Sequence, residues 1–350
     1  MKFKNQTTIP PEDPNAAKRK QDHIELAFQS QVETGQLDQR FYYEPLLAAH
    51  PDNAPKSVPF LNKSLQHPIW VSSMTGGTEM AGTINHNLAR ACKDFGMGIG
   101  LGSCRALLTS DDHFDDFNIR PTMGSDLPLY ANLGIAQLEQ VVLNNKVDQV
   151  FRMLDKLQAD GLIIHVNPLQ EWLQPEGDRF TQPPLQTIEQ YLEKTDRSVI
   201  VKEVGQGMGY HSLRALFQLP LEAIDFAANG GTNFARLELL RSDTQKQQIY
   251  GALAQVGHSA EEMVDFTNKI ILELGERIRC QQVIISGGIQ NFLDGYYLIH
   301  KLNLPCVYGQ ASRFLKYARG DYETLYDYVQ SQVEGLALAN AFLKVKTSEL

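Results

Sequence analysis

The sequence is short of basic residues and of cysteines, and each shortage excludes a class of protein. Its 32 Lys and Arg residues are outnumbered by 41 Asp and Glu residues, which gives a formal net charge of −9. Nucleic-acid binding needs a basic face, so this balance argues against it without excluding a local anion site. The cysteines form no C-x-x-C pair and no metal-finger spacing, and are Cys92, Cys104, Cys280 and Cys306. They are predicted to be reduced thiols in a cytoplasmic protein.

The sequence also lacks long apolar runs. No window reaches the roughly 18 apolar residues expected of a membrane span. The first residues, MKFKNQTTIPPEDP, do not contain the apolar core that a signal peptide requires. We therefore expect a cytoplasmic protein with no membrane partner.

Short apolar or β-branched segments recur eight times and alternate with amphipathic stretches such as VDQVFRMLDKLQA. This alternation is typical of parallel β-α-β units, and eight units predict an α/β fold closed as a (β/α)₈ TIM barrel. A doubly wound open sheet is the alternative, although such sheets more often stop at about six strands. The segments are 68–74, 96–103, 127–134, 161–167, 198–205, 222–229, 282–288 and 305–311.

Three regions are predicted along the chain. Residues 1–67 form an N-terminal extension, 68–320 form the barrel, and 321–350 form a C-terminal helix. A long insertion at 232–260 follows the sixth strand, and an insertion on the catalytic face is a candidate lid or oligomer contact.

Polar and glycine-rich motifs end segment after segment, where a barrel carries its active site. NGGT (229–232), SGG (286–288) and GQAS (309–312) follow the last three predicted strands. Loops after the last two strands of a barrel often bind phosphate, because small residues expose main-chain N–H groups. We therefore predict a phosphate site here. Arg105, after the second strand, is either a bidentate phosphate contact or a salt-bridge partner at the rim.

Lys202 ends the fifth apolar segment, in VIVKEVG. It is predicted either to form a Schiff base or to be a fixed cation beside an electron-accepting ring. Pairing with the neighbouring Glu203 is the structural alternative. A lysine in an otherwise apolar strand is costly unless it is paired or functional, which favours function.

The motif HVNPLQE (165–171) follows the fourth segment and has little acid/base capacity. His165 is a catalytic acid or a core histidine, and Asn167 ends the strand before a proline. Gln170 can only orient or hydrogen-bond, whereas Glu171 is a general base, a metal ligand or a loop carboxylate. This pattern predicts a substrate and metal platform whose proton chemistry belongs to a cofactor.

A basic helical stretch lies near the N-terminus. Arg19 and His23 are four residues apart and share a helix face, with Lys20 beside them. The stretch is either a solvated helix or a mobile segment that closes over an anionic substrate.

From about residue 16 to about residue 320 the chain resembles the type 2, flavin-dependent isopentenyl-diphosphate isomerases. HVNPLQE together with RKQDH is the most specific part of the resemblance. The matching motifs are RKQDH (19–23), SSMTGG (72–77), GLGSCR (100–105), ANLG (131–134), HVNPLQE (165–171), VIVKEVG (199–205), GGT (230–232), SGGI (286–289) and GQAS (309–312).

This resemblance implies a barrel that uses reduced FMN, with NADPH or NADH as reductant and Mg²⁺ bound with a small-molecule diphosphate substrate. It also implies a homo-oligomer, a tetramer or an octamer. Glu171 would bind Mg²⁺, and Gln170 would lie near the allylic carbons, with His165 as the other candidate catalytic residue. The substrate would be surrounded by Arg19, Lys20, His23, Arg105, His165, Asn167 and Gln170. FMN would be contacted by Ser73, Met74, Thr75, Ser103, Asn132, Lys202, Thr232, Gly287, Gly288, Gln310 and Ala311.

The chain departs from the family pattern at four positions. Ala227 stands where a serine is frequent, and Phe234 stands where a tryptophan is expected. Gln206 and Gln310 occupy positions where apolar residues are expected. The competing functions are an FMN-dependent oxidoreductase on the same barrel, a flavin-free aldolase using Lys202, and an FMN-binding scaffold without catalysis. The oxidoreductase class of 2-hydroxy-acid oxidases needs a histidine and an arginine near the seventh strand, and SGGIQN has neither.

Overall fold

The computed structural model describes residues 15–51, 57–74 and 76–346. The chain divides into two compact units, Met1–Phe41 and Tyr42–Leu350. The strands are β1 (Phe41–Tyr43), β2 (Val58–Phe60), β3 (Lys63–Leu65), β4 (Ile69–Val71), β5 (Gly98–Gly100), β6 (Leu129–Gly134), β7 (Gly161–His165), β8 (Ser198–Lys202), β9 (Ala223–Asp225), β10 (Val283–Ser286), β11 (Cys306–Gln310) and β12 (Leu343–Val345). The helices are α1 (Ala16–Leu26), α2 (Glu79–Phe95), α3 (Phe114–Phe117), α4 (Arg120–Met123), α5 (Ile135–Leu143), α6 (Val147–Leu157), α7 (Pro168–Leu173), α8 (Pro184–Leu192), α9 (Tyr210–Leu216), α10 (Phe234–Arg241), α11 (Thr244–Tyr250), α12 (Ala260–Leu274), α13 (Phe292–Lys301), α14 (Ser312–Ala318) and α15 (Tyr322–Phe342).

The eight strands β4 to β11 form a closed parallel barrel in which each strand pairs with the next one along the chain and β11 returns to β4. All eight segments predicted from the sequence contribute one strand each, so the (β/α)₈ prediction is confirmed and the open doubly wound sheet is excluded. Runs such as 162–164 and 199–201 are fully buried, since the barrel interior and the surrounding helices cover both faces.

A two-stranded hairpin, β2–β3, covers the N-terminal end of the barrel. Its turn residues Leu61 and Asn62 both have positive φ, the geometry of the type I′ turn that fits the twist of a hairpin. Leu61 and Phe60 are buried, and Lys63 binds Asp160, which directly precedes β7. The hairpin is therefore fixed to the ends of the strands that lie opposite the predicted active site.

The insertion after β9 is helical and consists of α10, α11 and a 3₁₀ helix at Gly251–Gln255. Leu239 and Ala235 of α10 pack against Leu173 of α7, the short helix that carries the second half of HVNPLQE. The insertion thus contacts the predicted platform directly through an apolar cluster.

The long helix α15 follows the barrel and is capped at its N-terminus by Asp321, whose side chain accepts a hydrogen bond from the Thr324 N–H. It packs on α2, α13 and α14 and so closes the side of the barrel between its first and last strands. Within the described residues, no helix has both the length and the apolar character needed to cross a membrane.

Candidate functional site

A cavity lies at the C-terminal ends of the barrel strands, with about 600 Å³ of space that includes open solvent. Its lining comes from the ends of β4 and β8 and from the loops after β9, β10 and β11. It contains these residues that were predicted to contact FMN: Ser73, Lys202, Thr232, Gly287, Gly288, Gln310 and Ala311. Met74, Ser103 and Asn132 are outside this lining, and Thr75 lies outside the described residues.

The loops after β9, β10 and β11 are here called the cradle, and those after β9 and β10 approach each other so closely that glycine is required. Gly287 has φ +89°, and a Cβ atom there would be 2.0 Å from the Ala228 carbonyl oxygen. Gly230 has φ +107°, and its Cβ would be 2.9 Å from the Gly288 Cα. Only glycine combines these φ values with such contacts, so the cradle is a main-chain surface of the kind that binds phosphate.

Ala227 enters the cradle with φ +43°, a strained conformation for a residue with a side chain. The Ala227 N–H donates to Ser286 Oγ at 2.9 Å, and the Ser286 hydroxyl donates to the Asp225 carboxylate. Asp225 is fully buried. These two hydrogen bonds connect β9 to β10 and stabilise the strained turn. The sequence motif SGG included Ser286 but not its contact with Asp225, which was not predicted, although an acidic residue within the apolar run EAIDFAAN was a signal.

Lys202 is 7% exposed and stands in register with His165 on one side and Asp225 on the other. Its ammonium donates to the Glu203 carbonyl oxygen at 2.7 Å, while the Glu203 carboxylate accepts the N–H groups of Gln206 and Gly207. Burial raises the pKa of the Asp225 carboxyl, and the Lys202 charge opposes this rise. The lysine therefore contributes a fixed, buried cation to the cavity.

Two of the four departures from the family pattern have a structural explanation. Gln310 accepts a hydrogen bond from the Tyr328 hydroxyl of α15 at 2.8 Å and donates to the Ile289 carbonyl at 3.3 Å. Gln206 donates to the carbonyls of Leu253 and Val256, at 3.0 and 2.5 Å. Gln310 therefore connects the cradle to the C-terminal helix α15. Gln206 connects the insertion to the loop after β8.

His165 has a defined tautomer because of its partner. The Asn132 amide donates through Nδ2 to the Leu101 carbonyl, so its Oδ1 accepts from His165 Nδ1 at 2.7 Å. The proton is thus on Nδ1, and Nε2 is an acceptor. Burial, aided by the Lys202 charge, lowers the pKa of His165 to about 3, so the ring is neutral at ordinary pH.

Asn167, Gln170 and Glu171, with His165, form the platform at the end of β7. Asn167 is 2% exposed, and its Nδ2 donates to Gln170 Oε1 at 3.0 Å and to Glu171 Oε1 at 3.1 Å. Glu171 Oε2 accepts the Asp178 N–H at 2.7 Å. Within the described part of the chain, Asn167 Oδ1 is buried without a partner, as are the hydroxyls of Ser72 and Ser73.

The predicted cationic residues fall into two groups. Arg105 reaches the platform side, where its Nη1 lies 3.5 Å from Asp178 Oδ2. Arg19, Lys20 and His23 lie on the exposed helix α1 of the first unit. No group of three or more His, Cys, Asp or Glu that could hold a metal occurs among the described residues. A Mg²⁺ ion would therefore need ligands from the substrate, which is its usual mode of binding with phosphates.

These features define a (β/α)₈ barrel with a phosphate-type cradle and a facing polar platform. Solved structures of similar fold include a flavocytochrome b2 variant with sulfite bound, with a TM-score of 0.59 and 12% identity over 86% of this chain and 72% of that one. A mandelate oxidase variant with a monooxide FMN adduct has a TM-score of 0.54 and 12% identity, covering 88% and 89%. At these identities the likeness concerns the fold. No protein-family model matches the chain.

Curated relatives identify the family. The isopentenyl-diphosphate delta-isomerase of Rickettsia felis is 35% identical over 325 residues, which cover 91% of this chain and 90% of the relative. That of Rickettsia peacockii is 34% identical, with 91% of both chains covered. The chain therefore belongs to the isopentenyl-diphosphate delta-isomerase family, as its motifs predicted, and its barrel is consistent with the type 2 class.

Proposed function

We propose that this protein interconverts isopentenyl and dimethylallyl diphosphate, with reduced FMN and Mg²⁺ as cofactors, in isoprenoid biosynthesis. The observation that carries the proposal is the pairing of a glycine-built cradle with the HVNPLQE platform at one end of the barrel, in a chain that aligns over 91% of its length with named isomerases. The cradle would bind FMN, and the platform would bind the diphosphate substrate.

The cavity residues fit FMN on two grounds. The cradle offers main chain where a Cβ atom would collide, which suits a phosphate, and the unpartnered hydroxyls of Ser72 and Ser73 suit a polar ligand. Lys202 would lie beside the isoalloxazine ring as a fixed cation. Bound reduced FMN would supply the acid/base capacity that relocation of a double bond requires, with NADPH or NADH as the reductant.

The platform would bind the substrate. Gln170 accepts from Asn167, which leaves its NH₂ group as a donor toward a ligand near the allylic carbons. Arg105, His165 and Asn167 would surround the diphosphate, and Arg19, Lys20 and His23 would neutralise further charge. Glu171 would bind Mg²⁺, because a carboxylate and phosphate oxygens are the ligands that this ion prefers.

The assembly and location of the protein are part of the same proposal. A homo-oligomer, a tetramer or octamer, in the cytoplasm is expected of this family. Exposed apolar side chains on the insertion, among them Leu240, Ile249 and Val256, support a contact between copies there.

The test is an isomerisation assay on FMN-loaded protein. Reduced with dithionite or NADPH and supplied with Mg²⁺, the enzyme is expected to convert isopentenyl diphosphate to dimethylallyl diphosphate, while the oxidised form does not. Absence of product with the reduced, Mg²⁺-supplied enzyme would refute the proposal. The alternative, an FMN-dependent oxidoreductase, predicts instead that a substrate reduces the flavin without NADPH or NADH.

A further inference from the structure

The loop that follows α7, residues 174–179 and here called the strap, is pressed against the helix that carries Glu171. A Cβ atom at Gly177 would be 2.0 Å from the Glu171 carbonyl oxygen, so no side chain fits there. The Arg179 guanidinium donates to the carbonyls of Glu171 and Trp172 and lies 4.7 Å from the Trp172 ring centroid. The strap therefore has a fixed position relative to the platform.

Asp178, within the strap, contacts two of the groups proposed to bind ligands. Its main-chain N–H donates to Glu171 Oε2 at 2.7 Å, and its Oδ2 lies 3.5 Å from Arg105 Nη1. The same Oδ2 accepts a hydrogen bond from Gln137 Nε2 at 2.7 Å. Because Gln137 holds the carboxylate independently, Asp178 keeps its position when Arg105 moves away.

The ion pair between Arg105 and Asp178 is weak enough to exchange. Their side chains are 60% and 47% exposed, and exposed pairs contribute little because water screens them. A diphosphate has more negative charge than one carboxylate and accepts a guanidinium in bidentate geometry, so it is the stronger partner.

We propose that Asp178 is the resting counter-ion of Arg105, whose carboxylate holds the guanidinium beside the platform and competes for it with the diphosphate of the substrate. Its main-chain N–H meanwhile keeps the Glu171 carboxylate oriented. The inference rests on the proposed function, because it assigns Arg105 to the diphosphate. Asp178→Asn retains the size of the side chain and an acceptor for Gln137 but removes the charge that competes for Arg105.

Binding of inorganic pyrophosphate with Mg²⁺ to the FMN-loaded enzyme tests this, in a double-mutant cycle of Asp178→Asn and Arg105→Ala. Asp178→Asn is expected to tighten binding about two- to five-fold when Arg105 is present and to have no effect when it is alanine. In turnover, the variant is expected to lower KM without raising kcat. Asp196→Asn removes an equal charge before β8, at the other end of the barrel, and is expected to match wild type.

Unchanged affinity in Asp178→Asn, equal tightening in both Arg105 backgrounds, or equal tightening by Asp196→Asn would each overturn the inference. If the wild-type enzyme isomerises isopentenyl diphosphate and binds pyrophosphate but Asp178→Asn behaves like it, only the role of Asp178 is refuted. If the wild type does neither, the proposed function and this inference are refuted together.

Discussion

The cradle and the platform lie at the same end of one barrel but are built from different atoms. In the cradle, glycines such as Gly287 leave a main-chain surface whose shape is fixed by steric contact. In the platform, side chains hold each other: Asn167 binds both Gln170 and Glu171, and Asp178 binds the other oxygen of Glu171. The shape of the cradle is therefore preformed, whereas the platform has internal contacts that a ligand must replace.

The largest effect is expected from the platform. Glu171→Gln removes the carboxylate proposed to bind Mg²⁺, so kcat is expected to fall by at least about 100-fold with retention of FMN. Steady-state kinetics across a Mg²⁺ titration measure this, and the flavin absorbance reports the cofactor. Glu193→Gln, an exposed change after α8, is the control. Unaltered Mg²⁺ dependence in Glu171→Gln would show that the cation is held elsewhere.

In the cradle, by contrast, a substitution is expected to weaken the binding of FMN. In Gly287→Ala the new Cβ collides with Ala228 backbone at a φ of +89°, so FMN affinity is expected to fall at least about ten-fold, since the strain is of order 1–3 kcal/mol. Fluorescence titration of the FMN-free protein measures the dissociation constant. Gly251→Ala, at a glycine with open space around its Cβ, is the matched control. Equal FMN affinity in both variants would mean that the cradle is not rigid.

A smaller effect is expected where the insertion meets the loop after β8. Gln206→Leu leaves the Leu253 and Val256 carbonyls without their donor, at a cost of about 1–3 kcal/mol. We expect faster hydrogen exchange and proteolysis in the insertion, 232–260, with a modest loss of FMN. Gln330→Leu, whose amide bonds Glu334 on the same helix, provides the comparison. An insertion as protected as in wild type would exclude a role for Gln206 in holding it.

The effect that is smallest at neutral pH, and that grows only as the pH is lowered, is a pH dependence of stability that arises at His165. Its pKa in the folded state is about 3, below the ordinary 6.5, so the unfolded chain binds a proton that the folded chain does not. The free energy of unfolding is therefore expected to fall as the pH is lowered from 6.5 toward 3, by up to about 1.4 kcal/mol per pH unit.

In His165→Asn this contribution is absent, and urea unfolding between pH 6.5 and 5 is expected to show a shallower slope than in wild type. His211→Asn is the control, because it removes an exposed imidazole from α9. Identical slopes in wild type and His165→Asn would contradict a neutral ring in the folded state.

The sequence was sufficient to predict the strands of the barrel, but it was not sufficient to predict the contacts between distant segments. Apolar runs such as GLII and VIVK predict strands because burial on both faces needs continuous apolar residues. The contacts of Gln206 with residues 47 and 50 positions later depend on how the insertion folds back, which no local pattern encodes. The same holds for Asp178, whose partners Arg105 and Glu171 lie in the segments that follow β5 and β7.

The β2–β3 hairpin covers the end of the packed barrel that lies opposite the candidate site. Phe60 and Leu61 are buried at that end, and Trp70 packs edge-on against Phe60. A molecule bound at the C-terminal ends of the strands therefore enters and leaves past the loops at that end. Those loops would set its residence time and its exposure to dioxygen. A reduced cofactor there would depend on those loops for its lifetime in air, while the eight residues of the hairpin, 58–65, cover the other end of the barrel.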